Sequence, residues 1–352
     1  MNFRTLLSAD KYLFHLKCAI MNLGQDKISE NEPTIPVWLD CDPGHDDAMA
    51  MILAAYHPKL RLLGISTCYG NQSHEKTLRN AVCFAKAAGI TVDIVPGQSK
   101  PIMREPIEAP SIHGESGLDG TFAMPAFDES LILKANAVLH LAELLRSSKE
   151  KINLVATGPL TNYALLITLF PELKEKIEKL LFMGGAVGEG NWTPAAEYNI
   201  LADPEAANIV MHSGLDVYMV PLEVTHMAGV TEKALADLSV ACNDSEFSRL
   251  IVELMCFFKQ TYKDVFGFDC PPLHDPCAVA ALCCPNLFKF TRMGVDVITD
   301  NGATLGQTLC DTYNRFPFPK VNVATNIDAE EFMKIMMDMC ALANERSPMN
   351  AK

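Results

Sequence analysis

The chain contains no apolar run of the roughly 20 residues that a membrane-spanning helix needs, so no segment reads as transmembrane. Its 12 Cys include no C-x-x-C pair, and Cys68, Cys83, Cys256, Cys283, Cys284 and Cys310 sit in apolar company. That pattern argues for reduced, buried thiols in a cytoplasmic compartment, and against a disulfide framework or a zinc site. There is no G-x-G-x-x-G, no Walker-type loop, no G-x-S-x-G elbow and no Cys-nucleophile signature. The common phosphate cradles and acyl-transfer nucleophiles are therefore missing. Positive charge is also scarce: 29 Lys and Arg stand against 43 Asp and Glu, a formal charge of −14. Such a chain is a poor partner for nucleic acid or an anionic membrane.

What is present is core-forming material. Of 352 residues, 49% are hydrophobic and 20% charged, enough to bury a substantial interior. No internal repeat and no dividing linker interrupts the chain. Residues 1–33 differ from the rest and are expected to be a poorly ordered N-terminal extension. Met1–Leu23 also has the faint basic, amphipathic pattern of a transit peptide, which leaves a targeting role open. Residues 34–345 are expected to form one domain, followed by a tail at 346–352.

Within that domain, strand-like and helix-like segments alternate. Apolar β-type runs at Leu60–Thr67, Val92–Val95, Ile152–Ala156, Leu180–Met183 and Asp216–Val220 are interleaved with helical patterns. Those helices are expected at Leu78–Ala88, Ala135–Leu145, Leu160–Leu169 and Ser245–Tyr262. A short helix at Ala278–Cys283 precedes strands at Met293–Ile298, Gly306–Leu309 and Val321–Ala324, and helix Ala329–Leu342 ends the series. The rhythm predicts an α/β fold with a mostly parallel central sheet flanked by helices, a Rossmann-like core. Two stretches break it, 97–130 and 184–204. Long loops inside a compact domain are usually functional.

The stretch Val37-Trp38-Leu39-Asp40-Cys41-Asp42-Pro43-Gly44-His45-Asp46-Asp47 organises the chain. An apolar strand ends in acid, turns through Pro-Gly, and enters an apolar helix. One acid there can cap the helix, but capping does not explain four. Like charges this close repel unless a cation or a proton relieves them. Clustered carboxylates without a Cys/His partner set suit a hard cation such as Ca²⁺ or Mg²⁺. Other strand ends are polar too: Thr67-Cys68-Tyr69-Gly70-Asn71, Ala156-Thr157-Gly158-Pro159, Met183-Gly184-Gly185-Ala186, and further on Glu197-Tyr198-Asn199 and His274-Asp275-Pro276. In an α/β sheet these carboxyl ends converge on one edge. They supply many groups for sugar-like hydroxyls and few for phosphate.

Taken together, DCDPGHDDAMA, TCYGN, IHGESGLDG, ATGPLTN, MGGA with the later EYN, and PPLHDPCA resemble the inosine–uridine nucleoside hydrolase family, and most closely its uridine-type members. The resemblance runs from about Pro36 to Leu342. It implies the nucleoside hydrolase fold, a site at the carboxyl ends of the strands, and hydrolysis of ribonucleosides (uridine foremost, with cytidine and inosine as further candidates) to base and ribose. It implies one Ca²⁺ held by Asp42, Asp47, Asp275 and the Thr157 carbonyl. Asp46, Asn71, Asn191, Glu197, Asn199 and again Asp275 would grip the ribose, with the Met183 backbone lining its pocket. Asp42 would also act as general base toward the attacking water, and Asp40 would support the turn. A homodimer or homotetramer is the family's usual assembly.

The leaving base needs its own help. His274 is the candidate general acid or base contact, and His113 and Tyr262 are further base-side candidates. His45 reads as structural, and Phe258 and Phe266 as either core or lid. Two other readings compete. One is a non-catalytic ribonucleoside-binding protein. The other is a metal-dependent phosphohydrolase with D-x-D after its first strand, for which Lys100 and Lys134 lack the required context.

Overall fold

The computed structural model describes residues 34–120 and 123–351; the expected N-terminal extension lies outside them. Among the described residues the centre is a nine-stranded sheet. Its strands are β1 (Ile35–Cys41), β2 (Leu60–Thr67), β3 (Ile94–Pro96), β4 (Ile152–Ala156), β5 (Ile177–Met183), β6 (Val217–Val220), β7 (Phe288–Val297), β8 (Thr308–Asp311) and β9 (Lys320–Ile327). The order is β3-β2-β1-β4-β5-β6-β9-β7-β8. Every pairing from β3 to β9 is parallel, whereas β7 runs antiparallel to both β9 and β8. Strand order reverses between β1 and β4, and such a switch point opens a crevice beyond the carboxyl ends of the strands.

Helices cover both faces. On one lie α1 (His45–Tyr56) and α2 (His74–Ala88); on the other lie α4 (Ala137–Ser147), α5 (Thr161–Leu169) and α7 (Pro204–Met211). Short helices α3 (Pro110–His113), α6 (Tyr198–Ala202) and α8 (Leu222–Thr225) sit within the connections. The first face is completed by α9 (Glu232–Ala241), α10 (Glu246–Phe266), α11 (His274–Cys283) and α12 (Ala329–Arg346). β1 shows why two cores form: Val37, Leu39 and Cys41 point into one and Trp38 into the other, the period of two that a pleated strand imposes.

Two helices are special. All ten residues of α11, and the first ten of α1, are buried. A helix apolar on every side must lie inside the protein, and α1 and α11 pack against each other. The residues that open each of them are charged, so burying the helices also buries the acids.

The strands and helices read from the sequence are all present, with some bounds shifted. α10 continues to Phe266, and α11 starts at His274 rather than at Ala278. Of the expected apolar thiols, Cys256 is exposed on α10. After α12, Ser347 donates to the Ala87 carbonyl at 2.6 Å, tying the chain end to α2.

Candidate active site

At the switch point, Asp42 follows β1 and Thr157 follows β4. Asp42 is fully buried, and its Oδ2 accepts the Asn71 backbone N–H at 2.7 Å. The Asn71 side chain returns, donating to the Asp42 carbonyl and to Asp47 Oδ2, each at 3.1 Å. Backbone closes tightly around this carboxylate. A Cβ on Gly70 would stand 2.0 Å from Asp42 Oδ2, and one on Gly158 would stand 2.3 Å from Oδ1. A larger residue at either position would displace the Asp42 carboxylate.

Asp47 caps its own helix by accepting the Gly44 N–H at 2.9 Å, and takes the Thr157 hydroxyl at 2.6 Å. Capping thus accounts for one acid of the four. Asp46 and Asp275 are the others at the cleft floor; carboxylate oxygens of Asp46, Asp47 and Asp275 lie within 4.8 Å of one another. Asp42 stands outside that triad, although its charge is felt by Asp275. Burial is the main reason the Asp42 and Asp275 carboxyls are pushed well up, with neighbouring carboxylates adding to it. Burial, then the Asp47 charge, raises Asp46 to about 7. Asp40, one turn of strand earlier, is buried and raised to about 7, chiefly by desolvation. Its Oδ1 accepts from the Ser66 hydroxyl and from Asn162 Nδ2.

These residues fit a hard cation. Buried carboxylates crowd one point without a basic side chain among their hydrogen-bond partners, and Asp42 Oδ1 is fully buried with no hydrogen-bond partner. A buried, unpaired carboxylate oxygen is costly unless an ion or proton meets it. The Thr157 carbonyl, which accepts Asn199 Nδ2 at 2.8 Å, keeps a second lone pair for a ligand.

Above the acids lies an open cleft, lined by polar and aromatic side chains. Asp46, Asn71, His113, Met183, Asn191, Glu197, Asn199, Tyr262 and Asp275 all line it, together with Thr157 and His274. Asp42 and Asp47 lie beneath. Glu197 is 2% exposed and is held rigidly: its carboxylate accepts the N–H groups of Asn199 and Gly185 at 2.9 Å and of Ile200 at 3.2 Å. Burial nonetheless raises it to about 7. Asn199 Nδ2 also donates to the Met183 carbonyl at 3.2 Å. Asn191 Oδ1 caps α6 from outside, accepting the Tyr198 N–H at 2.9 Å.

On the opposite wall, both nitrogens of His274 are engaged. Nδ1 lies 2.7 Å from the Thr225 hydroxyl and Nε2 2.7 Å from the Tyr262 hydroxyl. Burial lowers its pKa to about 3, so the ring is neutral at pH 7. His113 is lowered well below its usual value by burial, and its Nδ1 lies 3.3 Å from both the backbone N and Nδ1 of His45. His45 is buried, its Nε2 2.8 Å from the Asp119 carbonyl, and it stacks on Phe258. Phe258 is wholly buried, whereas Phe266 reaches the cleft.

Sequence reasoning overlooked several neighbours. Thr225 orients His274, Trp192 lines the cleft and packs on Tyr198 with ring centroids 4.8 Å apart, and the Tyr198 hydroxyl donates to the carbonyls of Gly70 and Ile107. No spacing rule signals these contacts, since their partners come from separate loops.

A doubly wound sheet whose strand ends gather buried acids, amides and a neutral His around one cleft offers groups for a hard cation and for a hydroxyl-rich small molecule. The model of the family described as inosine-uridine preferring nucleoside hydrolase matches residues 37–334, and the chain belongs to that family. It is 42% identical over 311 residues to the pyrimidine-specific ribonucleoside hydrolase RihA of Shewanella sp. (strain ANA-3), covering 87% of this chain and 96% of that one. Identity to the RihA of Escherichia coli (strain SMS-3-5 / SECEC) is 43% over 312 residues, covering 86% and 97%. Among solved structures, the plant nucleoside hydrolase PpNRh1 superposes with a TM-score of 0.81 at 30% identity, covering 88% of this chain and 99% of that one. A purine-preferring ribonucleoside hydrolase from Gardnerella vaginalis gives 0.80 at 28% identity, covering 88% and 99%.

Proposed function

We propose that this protein hydrolyses the N-glycosidic bond of pyrimidine ribonucleosides, uridine first, to free base and ribose, and that it does so with one Ca²⁺. The observation that carries the reading is the convergence of the acid triad, the unpartnered Asp42 Oδ1 and the polyol-binding groups in one cleft. The two relatives named as pyrimidine-specific set the choice of base.

Asp42, Asp47, Asp275 and the Thr157 carbonyl would hold the cation. When bound, it supplies positive charge that offsets the crowded acids and makes a neighbouring water easier to deprotonate. The remaining work falls to the side chains. Asp42 keeps Oδ2 fixed by the Asn71 amide and has Oδ1 free to accept the proton of the attacking water. Asp46, Asn199 and Glu197 bind the sugar hydroxyls. Because backbone N–H groups pin Glu197, the sugar meets a preorganised wall. Bond breaking builds positive charge on the ribose, and the carboxylates around it stabilise that charge.

The base leaves toward His274, His113 and Tyr262. The neutral His274 ring and the Tyr262 hydroxyl share one hydrogen bond, so a proton or a hydrogen bond reaches the base from this pair rather than from an imidazolium.

A panel of ribonucleosides assayed for reducing sugar, with and without a chelator, tests the proposal. Uridine should lead and inosine lag. A panel led by inosine would refute the pyrimidine assignment, and full rates after chelation would refute the cation.

A further inference from the structure

Helices α1 and α11 bring acids together at their amino ends, and their carboxyl ends meet as well. His57 is the C-cap of α1, Cys283 is the last residue of α11, and Cys284 is its C-cap. His57 Nε2 stands 3.4 Å from Cys284 Sγ, across 227 residues of sequence. One donor atom from each of His57, Cys283 and Cys284 lies within 4.8 Å of the others. His57 is 6% exposed and Cys283 1%, while Cys284 is half-buried. A helix of this length separates the cluster from the acids by roughly 15–18 Å, and the hydrolytic chemistry uses none of it.

We propose that His57 Nε2, Cys283 Sγ and Cys284 Sγ form a zinc site that clamps the carboxyl ends of α1 and α11. The absence of C-x-x-C argues against zinc in the sequence, because the third donor is remote and comes only with the packing of the two helices. Thiolate and imidazole are the donors zinc prefers. Zinc bonds of about 2.0–2.3 Å in a tetrahedron set ligand atoms about 3.5–3.8 Å apart. The His57–Cys284 pair is already near that spacing, and rotation about the thiol Cα–Cβ bonds can close the rest. Helix carboxyl ends carry negative partial charge, so a cation is favoured where two of them meet. Half-buried Cys284 leaves an entry path and room for a water as fourth ligand.

The proton balance is explicit. Without metal, the Lys59 amide donates to His57 Nδ1 at 3.3 Å, which puts the ring proton on Nε2, facing the Cys284 sulfur. Zinc entry releases to solvent whatever protons the two sulfurs carry. The ring proton relocates through solvent to Nδ1, and the already long Lys59 contact opens. The acid cluster at the other end of the helices offers only oxygen, so calcium and zinc sort by hardness and do not compete.

The test uses the reduced full-length chain saturated with calcium and titrated with Co²⁺, then with Zn²⁺. One equivalent of cobalt should give a thiolate-to-cobalt charge-transfer band that zinc bleaches. Zinc should also protect the half-buried Cys284 from alkylation, read by mass spectrometry. Cys284→Ser, at a half-buried position, and His57→Gln should each weaken binding about a hundredfold or more, since even outer contacts of a metal site are worth about 10–100-fold. Both variants should keep the wild-type circular dichroism spectrum and calcium affinity. Zinc should raise the melting temperature of the wild type but not of Cys284→Ser. No charge-transfer band, or a band unchanged in Cys284→Ser, would overturn the site.

Discussion

At the scale of single residues, Asp42 has the most depending on it. Its Oδ2 is fixed by Asn71 and its Oδ1 is unpartnered, so Asp42→Ala removes a cation ligand and a base while breaking few structural bonds. Turnover should fall at least about 10²–10⁴-fold, the usual worth of one acid–base group, with the melting temperature little changed. Steady-state assays beside a thermal melt decide it, and near-normal turnover would refute the assignment. Asp47→Ala should behave differently. Asp47 also caps α1 and holds the Thr157 hydroxyl, so its loss should weaken calcium binding and cost about 0.5–2 kcal/mol of stability from the cap alone, measured by denaturant unfolding. Gly70→Ala probes the site's tightness from the backbone side. A methyl group 2.0 Å from the Asp42 carboxylate must displace it, and activity should be lost without any carboxylate having been removed.

His274 separates two chemistries. Its ring is neutral and bonded to the Tyr262 and Thr225 hydroxyls. If the pair donates to the base, Tyr262→Phe should lower kcat nearly as much as His274→Ala does, with KM little changed in either. Losses confined to KM would make both residues binding groups only.

At the scale of elements, the legible parts were those with strong periodicity. β2 and β4 have the bounds read from the sequence, because each is a short, largely apolar run alternating with longer helical patterns. The acidic turn was legible because no packing rule explains four acids before a buried helix. The α11 start was not: His274 to Cys277 look like loop, since Pro276 masks the helical period, although Pro is well tolerated in a first turn. Short helices α3, α6 and α8 lie in stretches whose local composition favours turns; α3 and α8 have no side-chain cap, and α6 is capped by the adjacent Glu197. Thr225 was invisible because its bond to His274 spans 49 residues. Glu197, by contrast, was found by resemblance and turns out to cap α6 as well. That double duty makes a prediction. Glu197→Gln keeps one of the two accepting oxygens but not the charge, so it should lose activity with a smaller loss of stability in a thermal melt than Glu197→Ala.

At the scale of the whole molecule, the fold concentrates its conflict at one edge. Two helices, α11 and all but the last two residues of α1, are buried and present acids to the same point, and burial raises the Asp46 and Asp275 carboxyls. A ligand that relieves this repulsion binds the folded state alone, so it stabilises the protein by mass action, about 2.7 kcal/mol at a hundred times its Kd. Calcium should therefore raise the melting temperature by several degrees, and a chelator should reverse the shift. Among the described residues no helix is long and apolar enough to cross a membrane. The expected dimer or tetramer remains a proposal that sedimentation can test.

The most direct test of the central claim is the stoichiometry of uridine breakdown by the calcium-loaded enzyme, with uracil and reducing sugar quantified in the same reaction. The account predicts equal amounts of uracil and free ribose, formed without phosphate and abolished in Asp42→Ala. Uridine that binds the cleft in calorimetry yet yields neither product would contradict it, and would leave a nucleoside-binding protein in place of a hydrolase.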